Sequence, residues 1–191
     1  DIESIISAYR EAGWFSGNVL ISASNVTRFE ESYGLADQEA GMKNTSETLF
    51  HLGSIAKNFI AVLVLQMVKA GKLSLENTLE AFDVPLPESI TSNVTLRHLL
   101  EHRAGFRDIF TPEYMENPKH YDTLDKKVAI LAGAPLLFVP GERYQYSNYG
   151  YILLGWVLEK VSGKSYAELL NDRIIKPLAL ENTHLFLACH A

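Results

Sequence analysis

The sequence predicts an α+β fold in which short strands come first and helices follow. Two β-prone runs, residues 17–23 and 28–34, lie near the amino terminus on either side of a Ser-Asn turn. After Gly53, apolar residues recur mainly at helical spacing. Strands and helices that occupy separate parts of a chain favour an α+β or mixed architecture over an alternating parallel sheet.

The first 52 residues contain the elements of a small antiparallel sheet. A helix is expected at the start, capped by Asp1 and ended by Gly13, because apolar residues recur there at helical spacing. We expect this helix to place its apolar face on the sheet. The runs 17–23 and 28–34 are expected to pair as a hairpin, and a third short strand is expected at 48–52.

The remainder of the chain is expected to be helical, with glycines marking several helix ends. A helix that begins after Thr95 should stop at Gly105, and Pro140-Gly141 should form a turn. Further helices are predicted over Ser54–Ala70, ending at Gly71; over Gly150–Val161, ending at Gly163; and after the capping box Ser165-Tyr166-Ala167-Glu168.

Composition excludes several classes of function. The 17 Lys and Arg are scattered among 23 Asp and Glu, giving a net charge of -6, so no basic surface for nucleic acid is expected. The longest apolar run, residues 59–68, is too short for the roughly 20 residues of a membrane helix. Cys189 is the single cysteine, which excludes an internal disulfide.

Ser54 and Lys57 are candidates for a nucleophile and its activating group. They lie three residues apart at a predicted helix start, so their side chains should share one face. A serine hydroxyl is a weak nucleophile unless a base lies beside it, and apolar neighbours such as Ile55 should disfavour the lysine charge. Ser54 as a helix cap, with Lys57 solvated, is the structural alternative.

Tyr146-Ser147-Asn148 is a second polar cluster, placed just before the apolar helix. A phenol, a hydroxyl and an amide together suit proton relay and substrate binding. The alternative is that Asn148 caps the helix and the nearby tyrosines pack in the core. His98 and His102 have the i, i+4 spacing of a zinc pair, but no HExxH order accompanies them, so core or surface roles are favoured.

Together these segments resemble the serine β-lactamase and D,D-peptidase family, in particular its class C β-lactamase, esterase and D-aminopeptidase branch. Nearly the whole chain takes part in the resemblance. The segments that carry it are FSGNVLISA with YGLAD, TLFHLGSIAKNFIAVLVLQMVKAGKLSLENTL, VTLRHLLEHRAGF, FVPGERYQYSNYGYILLGWVLEKVSGKSY and IIKPLALENT.

The resemblance implies a fold, a mechanism and a location. The fold would be β-lactamase/transpeptidase-like, an antiparallel sheet with flanking helices plus a mostly helical lobe. Ser54 would be acylated, Lys57 would assist, Tyr146 would act as general base or relay, and Asn148 would hold the substrate amide. Substrates would be amides, β-lactams, D-Ala-type peptides or esters, with neither metal nor organic cofactor, in the periplasm or outside the cell.

Two departures from the family pattern stand out. His102-Arg103-Ala104-Gly105 replaces the usual His-Thr-Ser-Gly, in a segment expected to be structural. The third family motif, a Lys or His, a small or hydroxyl residue and a Gly, lies on a strand beyond the IIKPLALENT region, and the sequence ends at Ala191. We therefore expect the C-terminal strands to be missing from this chain, and the sheet edge to be covered by strand exchange or in a homo-oligomer.

These implications divide the chain into three parts and leave two functions open. Residues 1–72 would form the start of the α/β lobe with the nucleophile helix, 73–171 the mostly helical lobe, and 172–191 the start of the return to the sheet. The first function is a serine hydrolase. The second is a non-catalytic penicillin-binding or sensor-type module, or an inactive part of the hydrolase.

Overall fold

The computed structural model describes residues 2–185, so the expected cap Asp1 and the cysteine Cys189 lie outside the described residues. The chain divides into two compact units, residues 1–52 and 53–191. The division into three segments expected from the sequence stays a prediction.

The first unit contains one helix and two small hairpins. As predicted, two strands pair antiparallel around a two-residue turn, with Gly17 opposite Tyr33. Ser24 and Asn25 both have positive φ, 52° and 59°, which suits the tight turn of a twisted hairpin. The elements are α1 (Ile2–Glu11), β1 (Gly17–Ala23), β2 (Val26–Tyr33), β3 (Leu35–Asp37) and β4 (Met42–Lys43).

The expected third strand at residues 48–52 is wrong, because β3 and β4 form a second hairpin instead. Gly34, at φ 73°, turns the chain out of β2 where a β-carbon would overlap Ser16. The Thr48 N–H donates to the Thr45 carbonyl, 3.0 Å away, in a turn. That turn uses a backbone group that a strand would need for its ladder.

The expected packing of α1 on the sheet is also wrong. None of its residues is buried, and Ile5 is 59% exposed. Tyr9 instead contacts the Trp14 ring, with centroids 6.1 Å apart. A two-stranded hairpin offers little apolar surface for a helix, which is consistent with this exposure.

Among the residues described, the second unit contains helices joined by loops and no strand, as predicted, apart from one isolated bridge between Thr78 and Thr95. Single 3₁₀ turns occur at Gly53–Ala56, Leu79–Phe82 and Pro118–His120, and a π-helical turn at Asn171–Ile175. The helices are α2 (Lys57–Lys69), α3 (Glu88–Thr91), α4 (Leu96–Leu100), α5 (Pro112–Glu116), α6 (Leu124–Ala129), α7 (Asn148–Ser162) and α8 (Tyr166–Leu170).

The predicted helix ends are mostly confirmed. Gly71 and Gly163 follow α2 and α7 in the left-handed conformation, at φ 70° and 67°. The capping box at Ser165 and Glu168 starts α8. One end is wrong: α4 stops at Leu100, well before Gly105. His102 is already left-handed at φ 55°, and this conformation does not continue a helix.

The hydrophobic core of the second unit is built around α7, which contacts α2, α4 and α6. Leu153, Leu154, Val157 and Leu158 of α7 are all completely buried. Burying a side chain of this size contributes about 1.5–3 kcal/mol. The core therefore holds α7 firmly, and with it the residue at its first position, Asn148. Within residues 2–185 no helix has both the length and the apolar character needed to cross a membrane.

Two loop segments, residues 102–107 and 137–145, are joined by backbone hydrogen bonds, and the second leads into α7. The N–H of Gly141 donates to Arg103 O and that of Gln145 to His102 O, each over 2.8 Å. The Arg103 side chain returns two hydrogen bonds to the carbonyl of Gly141. The resemblance expects Thr at position 103. The Arg103 side chain present there holds in place the loop that precedes Tyr146.

Candidate active site

The four residues singled out from the sequence lie together in the second unit. Ser54 lies in the 3₁₀ turn Gly53–Ala56, Lys57 is the first residue of α2, and Asn148 is the first residue of α7. The Ser54 Oγ lies 3.0 Å from Lys57 Nζ and 2.8 Å from the Tyr146 hydroxyl. Lys57 Nζ donates to Asn148 Oδ1 over 2.6 Å. The fold thus joins two segments about 90 residues apart around one hydroxyl.

Ser54 is exposed and is not a helix cap. The α-helix expected from Ser54 begins instead at Lys57, and Ala56 occupies the capping position. A 3₁₀ turn is tighter than an α-helical one, so residues i and i+3 lie nearly above each other. This eclipsed geometry brings the hydroxyl and the ammonium within hydrogen-bond distance.

Lys57 has a polar and aromatic environment rather than the expected apolar one. Ile55 is 63% exposed, so it gives the ammonium little shelter. The Nζ atom lies 5.1 Å from the Tyr146 ring centroid and 5.8 Å from that of Tyr151. Aromatic faces attract a cation at such distances. The lysine head group is therefore fixed between one amide, one hydroxyl and two rings.

The site makes the Tyr146 phenol more acidic than an ordinary tyrosine. Its hydrogen bond with Lys57, and then its hydrogen bond with Ser54, lower the pKa of the phenol. Each stabilises the phenolate relative to the neutral form. A phenol beside the Ser54 hydroxyl with a lowered pKa is a candidate general base.

Asn148 does not act as the cap of α7, since Ser147 occupies that position. Its side-chain oxygen accepts from Lys57, and its side-chain nitrogen donates to Asp108 Oδ2 over 2.9 Å. Asp108 was not identified from the sequence. It is a lone carboxylate in a loop, and neither its spacing nor its neighbours distinguish it.

His102 is a second residue whose role the sequence did not reveal. Its Nδ1 accepts the N–H of Ser147, and its ring lies 4.4 Å from the Tyr146 ring and 5.0 Å from that of Tyr151, centroid to centroid. Burial, and then the charge of Lys57, lower the pKa of this imidazole. A neutral His102 therefore supports the Tyr146 ring and accepts the backbone bond.

The two histidines of the i, i+4 pair have separate hydrogen-bond partners. His98 Nδ1 accepts the N–H of Thr95 in the capping box of α4, whereas His102 accepts that of Ser147. No group of three or more His, Cys, Asp or Glu within residues 2–185 is arranged to hold a metal ion.

Comparison with known proteins gives a family match along nearly the whole chain. The family model "Beta-lactamase" matches residues 2–189. Penicillin-binding protein 4* of Bacillus subtilis is 27% identical over 188 residues, covering 97% of this chain and 41% of the relative. Teichoic acid D-alanine hydrolase of Staphylococcus aureus is 29% identical over 182 residues, covering 95% and 44%. The chain thus spans less than half the length of these two relatives.

A solved structure confirms the fold. The penicillin-binding protein from Bacillus halodurans superposes with a TM-score of 0.82 at 30% sequence identity, covering 97% of this chain and 57% of that one. The β-lactamase/transpeptidase-like fold expected from the resemblance is therefore correct, and the described residues show it as helices with two small antiparallel sheets. With a family model matched over residues 2–189 and this superposition, the chain belongs to the β-lactamase family.

Proposed function

We propose that this chain carries the acylation site of a serine hydrolase, with Ser54 as its nucleophile. The observation that carries the proposal is that the Ser54 Oγ lies within hydrogen-bond distance of both Lys57 Nζ and the Tyr146 hydroxyl. A serine becomes nucleophilic when a positioned base takes its proton. Here a candidate base, the Tyr146 phenol, and the Lys57 ammonium that favours its phenolate form converge on one exposed oxygen.

Tyr146 receives the proton in the proposed reaction, and Lys57 keeps its positive charge. The Tyr146 phenolate accepts the Ser54 proton while Oγ forms a bond to the carbonyl carbon of the substrate. The Tyr146 hydroxyl then gives that proton to the leaving group as the bond to it breaks. In the second half, the Tyr146 phenolate accepts a proton from water as the water oxygen bonds to the acyl carbon. Tyr146 then gives this proton to Ser54 Oγ as the ester bond breaks and the acid is released. Lys57 stabilises the phenolate, in keeping with the lowered pKa of Tyr146.

Asn148 and the first turn of the Ser54 segment complete the proposed site. The Asn148 oxygen holds Lys57 beside Ser54, and its amide nitrogen retains a hydrogen for a substrate carbonyl. The N–H groups at the start of a helical turn lack partners within the turn, so the Ser54 N–H is our candidate for one oxyanion donor.

The proposed substrates are acyl compounds attacked at a carbonyl carbon: amides, β-lactams, D-Ala-type peptides and esters. Two relatives support this range, one named a penicillin-binding protein and the other a teichoic acid D-alanine hydrolase. On the family resemblance, we place the activity in the periplasm or outside the cell.

Turnover of p-nitrophenyl acetate and labelling by a fluorescent penicillin test the proposal. We expect Ser54→Ala to lower ester turnover at least about a thousandfold, because the attacking oxygen is gone. The free energy of unfolding should change by less than about 1 kcal/mol, since Ser54 is exposed. Ser92→Ala, at another exposed serine, is the matched control and should keep full activity.

The same experiments distinguish the hydrolase from the alternative function, a non-catalytic penicillin-binding or sensor-type module. Turnover that persists in Ser54→Ala would refute the nucleophile assignment. Stoichiometric labelling by penicillin without release of product would instead indicate a penicillin-binding module that acylates and stops. Absence of both labelling and turnover in the unmodified chain would refute the proposal for this chain.

A further inference from the structure

We propose that Asp108 is a positioning residue that sets the orientation of the Asn148 amide and, through it, the place of Lys57 beside Ser54. This inference rests on the proposed function, because it assigns Asp108 a part in the acylation of Ser54. Asp108 precedes Ile109 in the loop after residues 102–107, and α7 begins opposite it.

The Asp108 carboxylate makes three hydrogen bonds, two of them with Asn148. Its Oδ2 accepts from Asn148 Nδ2 over 2.9 Å, and its Oδ1 accepts from the Asn148 backbone N–H over 3.2 Å. Oδ1 also accepts the N–H of Ile109 over 2.7 Å. Asp108 is partly shielded from solvent. The carboxylate therefore accepts hydrogen bonds from both the main chain and the side chain of Asn148.

Only one orientation of the Asn148 amide satisfies both of its neighbours. The Lys57 ammonium can only donate hydrogen bonds, and the Asp108 carboxylate can only accept them. The amide oxygen must therefore face Lys57 and the amide nitrogen must face Asp108. Rotating the amide by 180° would oppose two donors at Lys57 and two acceptors at Asp108.

The fixed amide has two consequences for the site. Its oxygen holds Lys57 Nζ at 2.6 Å, with that Nζ 3.0 Å from the Ser54 Oγ. Its nitrogen has two hydrogens, of which Asp108 takes one. The direction of the second, available to a substrate carbonyl, is set by the first. Asp108 thus acts on the nucleophile and on the substrate through a single neighbour.

The substitution Asp108→Asn separates this role from a purely structural one. The variant's side-chain oxygen can keep the backbone bonds from Ile109 and Asn148, so the loop and the start of α7 should persist. Its amide nitrogen would replace Oδ2 and face the Asn148 nitrogen, setting donor against donor. The Asn148 amide then loses its preferred orientation while the fold remains.

A double-mutant cycle tests the coupling, with acylation of the full chain by p-nitrophenyl acetate followed by mass spectrometry over times long enough for slow variants. Asp108→Asn should slow acylation by about tenfold to a hundredfold, the loss expected for one hydrogen bond to a charged group. In the Asn148→Ala background the same change should slow acylation less than about twofold. Asp122→Asn is the matched control: it neutralises another hydrogen-bonded carboxylate, an exposed one bonded to Lys126, and should leave the rate unchanged.

The hydrogen-exchange rate of the Asn148 side-chain amide, measured by NMR, gives a second readout that needs no activity. We expect Asp108→Asn to raise it at least about tenfold, and Asp122→Asn to leave it unchanged. An unchanged exchange rate, or an equal slowing of acylation in both Asn148 backgrounds, would overturn the inference while leaving Ser54 as the nucleophile. A wild-type chain that takes no acyl group would overturn the proposed function and this inference together.

Discussion

Tyr146 lies at the centre of the candidate site. Its hydroxyl contacts the Ser54 oxygen and donates to Asn148 Oδ1 over 3.3 Å, and its ring lies beside Lys57 and the His102 ring. Lys57 and then Ser54 lower the pKa of its phenol. A tyrosine with this surrounding can hold a negative charge at a pH where an ordinary tyrosine cannot.

Acylation of Ser54 should therefore depend on pH through Tyr146. The base form is the phenolate, so the rate should rise as pH increases through the lowered pKa, in a transition below the ordinary value of about 10. Lys57→Met removes the main cause of the lowering and should move the tyrosinate transition back towards 10. Ultraviolet titration of tyrosinate, taken as the difference from Tyr146→Phe, measures both transitions.

Tyr151→Phe is the control for that titration, because burial raises rather than lowers the pKa of Tyr151. Removing its hydroxyl should leave the early transition in place. A Tyr146 transition at or above about 10 in the unmodified chain would argue that Tyr146 is no general base.

At this scale the sequence indicated some residues and not others, for a physical reason. Ser54 and Lys57 share one turn and Tyr146 lies close to Asn148, so short spacings revealed each pair. Asp108 and His102 act through contacts that only the fold creates. A single carboxylate or imidazole in a loop has no periodicity by which to recognise it. Their roles became apparent only from the hydrogen bonds to Asn148 and Ser147.

The element that determines the site geometry is the pair of hydrogen-bonded loop segments, residues 102–107 and 137–145, that precede α7. Backbone hydrogen bonds join residues 102–107 to residues 137–145 and place Tyr146 over Ser54. Gly105 lies in the first of these segments, at φ 84°, close to Phe138 of the second. A β-carbon there would stand 2.6 Å from the Phe138 carbonyl oxygen, too near for two non-bonded atoms.

Gly105→Ala should accordingly cost more stability than a comparable change elsewhere. Gly163→Ala is the matched control, since Gly163 also has a left-handed backbone, at φ 67°, but open space around it. Both variants pay the backbone strain of about 1–2 kcal/mol. Gly105→Ala should cost at least about 1 kcal/mol more, from overpacking. Chemical denaturation measures the difference, and equal losses would contradict the close approach.

The sequence predicted elements best where one local signal decides them. The hairpin of β1 and β2 has a two-residue turn, and α2, α7 and α8 have clear caps or glycine stops. The predictions of elements from the sequence were wrong where a specific backbone conformation or hydrogen bond, rather than a local signal, decides the element. Helix α4 ends earlier than predicted because the backbone of His102 is left-handed. Residues 48–52 form no strand because Thr45 and Thr48 are joined in a turn.

At the scale of the whole molecule, the two units differ in how many apolar side chains they bury. All of the buried apolar side chains among residues 2–185 lie between Leu63 and Ile174, in the second unit. No apolar side chain of residues 2–52 is buried. The family resemblance predicted the fold class correctly, while the covering of the first unit's sheet by strand exchange or a homo-oligomer stays a prediction.

Amide hydrogen exchange should reveal this difference directly. Stability in a protein varies with the local density of buried apolar contacts. For the single chain at low protein concentration, we expect amides of residues 17–33 to exchange at least roughly a hundredfold faster than those of residues 149–162. Peptide-resolved mass spectrometry gives both rates, and samples at several protein concentrations serve as the control. Equal protection of both segments, or protection of the hairpin that grows with concentration, would show that something covers the first unit.

Peptide mapping after brief reaction with p-nitrophenyl acetate or a fluorescent penicillin tests most directly whether Ser54 takes the acyl group. We expect one acyl group per chain, carried by the peptide that contains Ser54 and lost in Ser54→Ala. The site joins Ser54, Lys57 and Tyr146 by hydrogen bonds of 2.8–3.0 Å around a single oxygen. An acyl group found on another residue, or none on the unmodified chain, would contradict the assignment of Ser54 as the nucleophile.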